Sequence, residues 1–135
     1  MSGLSHAEMI NWRIEISKRL QETVRFYDCN LDIINPVYYY NFEKQDYQSD
    51  KEVKEFDLKH VITSDIVIVN LDGLNTSDGT KYEISQAARN HSIPVIAFGD
   101  KKLYDEMHPW IRDDITRVED DMDSVVTYIS NFYMR

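Results

Sequence analysis

The chain has 135 residues, of which 42% are hydrophobic and 29% charged, as is typical of one globular domain that buries its own core. Its net charge of −9 argues against binding to a nucleic-acid polymer, which requires clustered Lys and Arg. No apolar run approaches the ~20 residues of a membrane helix, and the single Cys29 excludes an intrachain disulfide and a cysteine-based metal site. We therefore expect a cytoplasmic protein that binds no membrane.

The first third of the chain predicts a helix and then a strand. Ser5 and Glu8 have the spacing of a capping box, and apolar residues recur at helical spacing over about 6–24. Residues 31–37 are rich in apolar and β-branched side chains and predict a short strand that ends in a turn at Pro36.

A polar segment over 41–51 predicts a surface loop. Either Ser49 or Asp50 can cap a second helix, which we expect to continue to about Thr63. The residues of this helix that are expected to face inward are Val53, Phe56 and Val61.

The second half of the chain alternates strands with helices. Residues 65–71 and 94–98 are almost unbroken apolar runs, typical of strands that are buried on both faces. Helices are predicted over 79–91, near 101–107 and over about 122–133, with a brief strand near 115–118. This alternation indicates an α/β fold with a parallel sheet covered by helices on both faces, in which ligands bind beyond the carboxyl ends of the strands.

Polar side chains gather where the strand 65–71 ends. Asp72 follows the strand directly, and Ser77, Asp78, Gly79 and Thr80 form a small polar turn. Gly79 would let the backbone pass close to a ligand. Glu83 is expected in the first turn of the next helix, where the helix dipole favours the ionised carboxylate.

These residue types suit cleavage of a glycosidic bond. An ionised Glu83 at a pocket wall can attack an anomeric carbon, as in retaining glycosidases. Asp72 or Asp78 would give a proton to the departing base, and the hydroxyls of Ser77 and Thr80 would hold a sugar hydroxyl or a 5′-phosphate. The same spacing also fits acids that merely cap helices or carry solvated charge. Tyr38, after the first predicted strand, either lines the pocket or packs as a buried aromatic.

Three blocks of the chain resemble the nucleoside 2-deoxyribosyltransferase family, which includes related nucleoside 5′-monophosphate N-hydrolases. They are Ser-Asp-Ile-Val-Ile-Val-Asn-Leu-Asp-Gly at 64–73, Asp-Gly-Thr-Lys-Tyr-Glu-Ile-Ser-Gln-Ala at 78–87 and Ile-Pro-Val-Ile-Ala at 93–97. Asn-Trp-Arg at 11–13 and His-Pro-Trp at 108–110 are weaker similarities. The resemblance implies a single domain over 1–135 with a flavodoxin-like three-layer sandwich and a parallel sheet.

By this resemblance Glu83 is the nucleophile that takes the deoxyribosyl group, with Asp72 and Asp78 as acids near the base. Family transferases often have an aspartate two residues before the glycine, where this chain has Ser77. A serine at that position is similar to the N-hydrolases, in which it helps to hold the 5′-phosphate. Three functions therefore stay open: transfer of deoxyribose between bases, hydrolysis of a nucleotide, and nucleotide binding without catalysis.

The resemblance also implies a strand ahead of the first helix, at the centre of the sheet. Residues 1–4 are similar to the end of the turn that follows this strand, so we expect the strand to be missing and the sheet to have four strands with a gap. Ser2 and Gly3 would still lie near the sugar or phosphate. The family further implies a homodimer or higher homo-oligomer, a small nucleoside or nucleotide as ligand, and neither cofactor nor metal.

Overall fold

The computed structural model describes residues 6–35 and 48–135. Three parallel strands form one sheet in the order β1-β2-β3, with β1 at Val67–Asn70, β2 at Val95–Phe98 and β3 at Arg117–Glu119. In the registers of the two pairs, Val67 lies opposite Val95 and Ile96 lies opposite Arg117. The carboxyl ends of all three strands therefore lie at one edge of the sheet.

Six helices in the described part of the chain surround this sheet. They are α1 (His6–Val24), α2 (Asp50–Ile62), α3 (Asp78–His91), α4 (Lys101–Asp105), α5 (Pro109–Arg112) and α6 (Met122–Tyr133), and a 3-10 turn spans Leu74–Thr76. None of the helices within 6–35 and 48–135 is both long and apolar enough to cross a membrane.

Strand β2 lies at the centre of the hydrophobic core, since all four of its side chains are buried. Ile96 and Phe98 point to one face, where they pack with the inner sides of α1 and α6. Val95 and Ala97 point to the other face, where they pack with Ile84 of α3. Full burial of an aliphatic side chain such as Ile96 contributes about 1.5–3 kcal/mol. The predicted α/β sandwich, with helices on both faces of a parallel sheet, is confirmed.

The prediction of a strand over 31–37 is wrong for 31–35, which form neither strand nor helix, while Pro36 and Val37 lie outside the described residues. A β-prone sequence becomes a strand only when a neighbour supplies the hydrogen-bonding partner. Among the described residues β1 ends the sheet on its side, so 31–35 have no strand to pair with. The same edge position leaves Val67 and Ile68 only half-buried, although burial on both faces was predicted.

Helix α2 has the predicted capping box, since the Ser49 Oγ accepts from the backbone N–H of Glu52 and the Glu52 side chain accepts from the backbone N–H of Ser49. The exposure of Phe56 differs from the prediction, which placed this side chain on the inner face of the helix. Phe56 is 46% exposed and packs edge-on against the ring of His60, with centroids 4.5 Å apart. The helix packs mainly on α3 instead of on the sheet, so it has too little surface opposite it to cover Phe56. Of the predicted loop 41–51, residues 41–47 lie outside the described part.

Two glycines give opposite expectations for substitution by alanine. A Cβ on Gly79 would meet nothing within 4 Å, and Ala is the better helix former, so Gly79→Ala should stabilise the protein by about 0.5 kcal/mol. Gly99 has a φ of +135°, and its Cβ would lie 3.1 Å from the Cβ of Leu71. Gly99→Ala should therefore destabilise it by about 1–3 kcal/mol. Urea midpoints of the two variants measure the difference, and equal midpoints would contradict this account of the β2 terminus.

Candidate functional site

A cavity of about 760 Å³ runs alongside β1 between α1 and α3. Its upper end lies at the carboxyl edge of the sheet and is polar. Four of the predicted site residues line it there: Asp72, Ser77, Thr80 and Glu83. The strand β1 and the start of α3 hold these residues in place, as expected for a ligand site in a parallel α/β sheet.

Two other predicted residues lie away from the cavity. Asp78 is fully exposed and faces Lys81 at 4.0 Å, and neither Asp78 nor Gly79 lines the cavity wall. The sequence suggested that Gly79 allows a close approach, but its surroundings are open and it lies in the first turn of α3. Asp78 stands five residues before Glu83 and lies on another side of α3, whereas Gly79 stands four residues before Glu83 on the same face but has no side chain that could reach the cavity.

The remaining predicted residues, Ser2, Gly3 and Tyr38, lie outside the described ranges 6–35 and 48–135.

Ser77 has a structural role at the start of α3. It is the N-cap of α3, and its Oγ accepts from the backbone N–H of Thr80 at 3.4 Å while its hydroxyl donates to the Thr80 Oγ1 at 2.8 Å. Capping by serine stabilises a helix by about 1 kcal/mol. The helix cap therefore explains Ser77 without any role in phosphate binding. Ser77 and Thr80 both still line the cavity.

Glu83 occupies a less polar environment than the sequence indicated. Helix α3 begins at Asp78, which puts Glu83 in the second turn, beyond the part of the helix where the dipole acts strongly. Burial raises the pKa of the Glu83 carboxyl to about 7, and the negative charge of Asp57 adds to the rise. The prediction that Glu83 lies in the first turn of the helix is therefore wrong, and burial shifts the pKa of its carboxyl in the direction opposite to the one expected from the helix dipole.

Two charged residues that shape this carboxyl were not among the predicted site residues. Arg13 of α1 lines the same cavity and lowers the pKa of Glu83, opposing the effect of Asp57 on α2. The Arg13 guanidinium lies 4.8 Å from the ring centroid of Trp12 and donates to the Met9 carbonyl at 2.6 Å, so it is held in place. Residues 11–13 were among the weaker similarities to the transferase family, which was the available signal for Arg13.

The arrangement brings a carboxyl with a pKa near neutral, a guanidinium and two hydroxyls to one end of a cavity. Strongly perturbed carboxyls in clefts are typical of sites that perform proton transfer or nucleophilic attack.

The fold is similar to the crystal structure of a conserved protein from Enterococcus faecalis V583, with a TM-score of 0.66 and 20% sequence identity over 95% of this chain and 92% of that chain. No protein-family model matches the sequence, and no curated protein matches it. At this level of identity the likeness shows the fold and leaves the function to the site.

The raised pKa of Glu83 predicts a pH-dependent cost to stability. An unfolded chain loses this proton near pH 4.5, whereas the folded protein holds it to about 7, so the wild type loses stability as the pH rises through this window. Glu83→Gln removes the titration. The free energy of unfolding of the variant, relative to that of the wild type, should therefore increase by about 2 kcal/mol between pH 4.5 and a pH above 7. This is less than the full pKa shift would give, because solvent screens the partly exposed side chain.

Urea unfolding of both proteins across this pH range measures the difference. A difference in free energy of unfolding that stays constant with pH would show that Glu83 titrates in the folded state as it does in the unfolded chain.

Proposed function

We propose that the protein cleaves the N-glycosidic bond of a deoxynucleoside through Glu83 and transfers the deoxyribosyl group to another base. The observation that carries the proposal is the partly buried Glu83 carboxyl at the polar end of the cavity, together with Asp72 and the two hydroxyls on the same wall. The resemblance of residues 64–97 to nucleoside 2-deoxyribosyltransferases supports the same reaction.

In the first step a carboxylate oxygen of Glu83 forms a bond to the anomeric carbon, and the carbon–nitrogen bond to the base breaks. The electron pair of that bond leaves with the base, which takes a proton from an acid at the site. Asp72 is our candidate for this acid because it lies at the cavity wall, whereas Asp78 does not.

In the second step a nitrogen of an incoming base attacks the anomeric carbon, the bond to the Glu83 oxygen breaks and releases the carboxylate, and the proton of the attacking nitrogen goes to the Asp72 carboxylate, which restores the acid. The charged groups around Glu83 suit these two steps. Only the ionised carboxyl is a nucleophile, and a pKa of about 7 leaves roughly half of Glu83 ionised at neutral pH. Arg13 favours the ionised form, while burial makes the carboxylate a better nucleophile by stripping it of water.

A second candidate function is hydrolysis of a nucleoside 5′-monophosphate, with water in place of the incoming base. Arg13 supports it because a guanidinium in the cavity wall can hold a phosphate by paired hydrogen bonds. Ser77 supports it less, since the cap of α3 already requires a hydroxyl there.

Glu83→Gln and Asp78→Asn form a matched pair of acid-to-amide changes on one helix. The first removes the proposed nucleophile and should reduce turnover by at least about a thousandfold. The second changes an exposed acid outside the cavity and should leave turnover within about twofold. The measurement is a chromatographic assay on deoxynucleosides and deoxynucleotides, with and without a second free base.

Base exchange identifies the transferase, and free base with sugar phosphate identifies the hydrolase. If Glu83→Gln keeps the activity of the wild type, Glu83 is not the nucleophile. Absence of turnover by the folded wild type on the whole panel would count against both enzymatic proposals and leave nucleotide binding.

A further inference from the structure

Asn70 is the last residue of β1 and lies in the wall of the cavity at its polar end. Its side chain is on the face of the strand that carries Ile68, whereas Val69 and Leu71 pack into the core on the other face. Asn70 is only partly buried, and the reaction proposed for Glu83 gives it no role. A polar amide at this position can therefore contact a ligand in the cavity.

A hydrogen bond within the chain determines which way the Asn70 amide faces. The Asn70 Oδ1 accepts from the backbone N–H of Asp72 at 3.0 Å, and the oxygen is the only atom of the amide that can accept. The Nδ2 group is therefore turned away from this bond, and it donates to no residue within 6–35 and 48–135. Its two N–H donors remain for a ligand.

The same hydrogen bond holds the backbone of Asp72, our candidate for the acid. Asp72 and Gly73 are the two central residues of a tight turn. The backbone N–H of Leu74 closes this turn by donating to the Leu71 carbonyl at 3.2 Å. Gly73 has a φ of 80° and a ψ of −7°, as a type II turn requires at its third residue. Asn70 thus braces the turn that carries the acid and presents its own donors two residues away.

Aromatic side chains border the Asn70 amide. Phe98 lies directly opposite Asn70 in the paired strands, and Trp12 packs edge-on against Phe98 with ring centroids 5.5 Å apart. Trp12 also lines the cavity. A hydrogen-bond donor beside aromatic walls suits a flat heterocycle that has acceptor atoms on its edge. A phosphate would instead be drawn to the cationic Arg13 in the cavity wall.

We propose that Asn70 recognises the base of the substrate by donating a hydrogen bond from Nδ2 to the acceptor atom next to the glycosidic nitrogen. In a purine this acceptor is ring nitrogen 3, and in a pyrimidine it is the 2-carbonyl oxygen. When the carbon–nitrogen bond breaks, the electron pair that stays on the base spreads onto this atom. A donor placed there binds more strongly in the transition state than in the ground state.

This inference rests on the proposed cleavage of the N-glycosidic bond. It adds a second group that assists the departure of the base, beside the proton from Asp72. It also defines the substrate class by chemistry, as nucleosides whose base carries an acceptor next to the glycosidic nitrogen.

The test uses pairs of substrates that differ in this one acceptor. One pair is 2′-deoxyadenosine and its 3-deaza analogue, in which a C–H group replaces the ring nitrogen. The other pair is 2′-deoxyuridine and its 2-thio analogue, in which the sulfur is a weaker acceptor. The ratio of kcat/KM within each pair is compared between wild type and variant, so that differences in the leaving ability of the two bases cancel.

Asn70→Asp and Asn70→Ala separate the two roles of the amide. Aspartate keeps an oxygen that can accept from the Asp72 N–H but loses both donors, whereas alanine loses the oxygen as well. In both variants the ratio for the deaza pair should fall about tenfold, the effect of one lost hydrogen bond, and the ratio for the thio pair should fall in the same direction.

Asn75→Asp is the control for the added negative charge. Asn75 is exposed in the 3-10 turn and does not line the cavity. This variant should keep the substrate ratios of the wild type. If both Asn70 variants also keep those ratios, the proposal is overturned even where turnover falls, because Asn70 would then act only through the position of Asp72.

A binding experiment gives a second readout that needs neither turnover nor a variant of Asn70. Glu83→Gln protein is titrated with the four nucleosides while NMR follows the side-chain amide of Asn70. We expect its resonances to shift with a parent nucleoside and to shift much less with the matching analogue. Equal shifts within each pair, or no shift with any of the four, would overturn the base contact. A selective shift without turnover by the wild type would refute the reaction proposed for Glu83 and retain the base contact.

Discussion

The parallel pairing of β1 with β2 determines where everything else in this protein lies. The hydrogen bonds from Val67 to Pro94 and from Leu71 to Phe98 hold the two strands in register to their last residues. Because both strands end at one edge, the chain that leaves β1 must turn there and start α3. The polar residues of this turn therefore lie at the mouth of the cavity, and Glu83 follows one turn of helix later.

The chemistry of the site depends on competition between burial and charge at Glu83. Burial and Asp57 raise the pKa of its carboxyl, whereas Arg13 lowers it, and the result lies near neutral pH. A carboxyl in an ordinary helix surface position would be ionised and well solvated, hence a poor nucleophile. Three helices contribute the three charges, so the packing of α1, α2 and α3 sets the pKa of one side chain.

Much of the fold could be predicted from local sequence. The β-branched run before Leu71 and the periodic apolar positions of α1 each specify their element without reference to the rest of the chain. Ser49, one of the two predicted caps, marks the start of α2 for the same reason, since it bonds within the first turn of its own helix. The wall formed by Asp72, Ser77, Thr80 and Glu83 followed from the rule that ligands bind at the carboxyl edge.

The failed predictions involve interactions between distant parts of the chain. Residues 31–35 have the composition of a strand, but no strand in the described residues pairs with them. Phe56 has helical spacing for burial, but α2 packs on another helix. The pKa of Glu83 depends on Asp57 and Arg13, which are 26 and 70 residues away along the chain. Local pattern carries no information about such pairs.

The central claim is that Glu83 takes the sugar covalently, and mass spectrometry after trapping tests it most directly. A fluorine at the 2′ position of a deoxynucleoside destabilises the oxocarbenium-like transition state, so that a glycosyl-enzyme forms and then breaks down slowly. We predict that incubation with such 2′-fluoro nucleosides adds the mass of one fluorinated sugar to the peptide that contains Glu83. An adduct on another residue, or turnover of the unmodified nucleoside with no adduct on Glu83, would contradict the account.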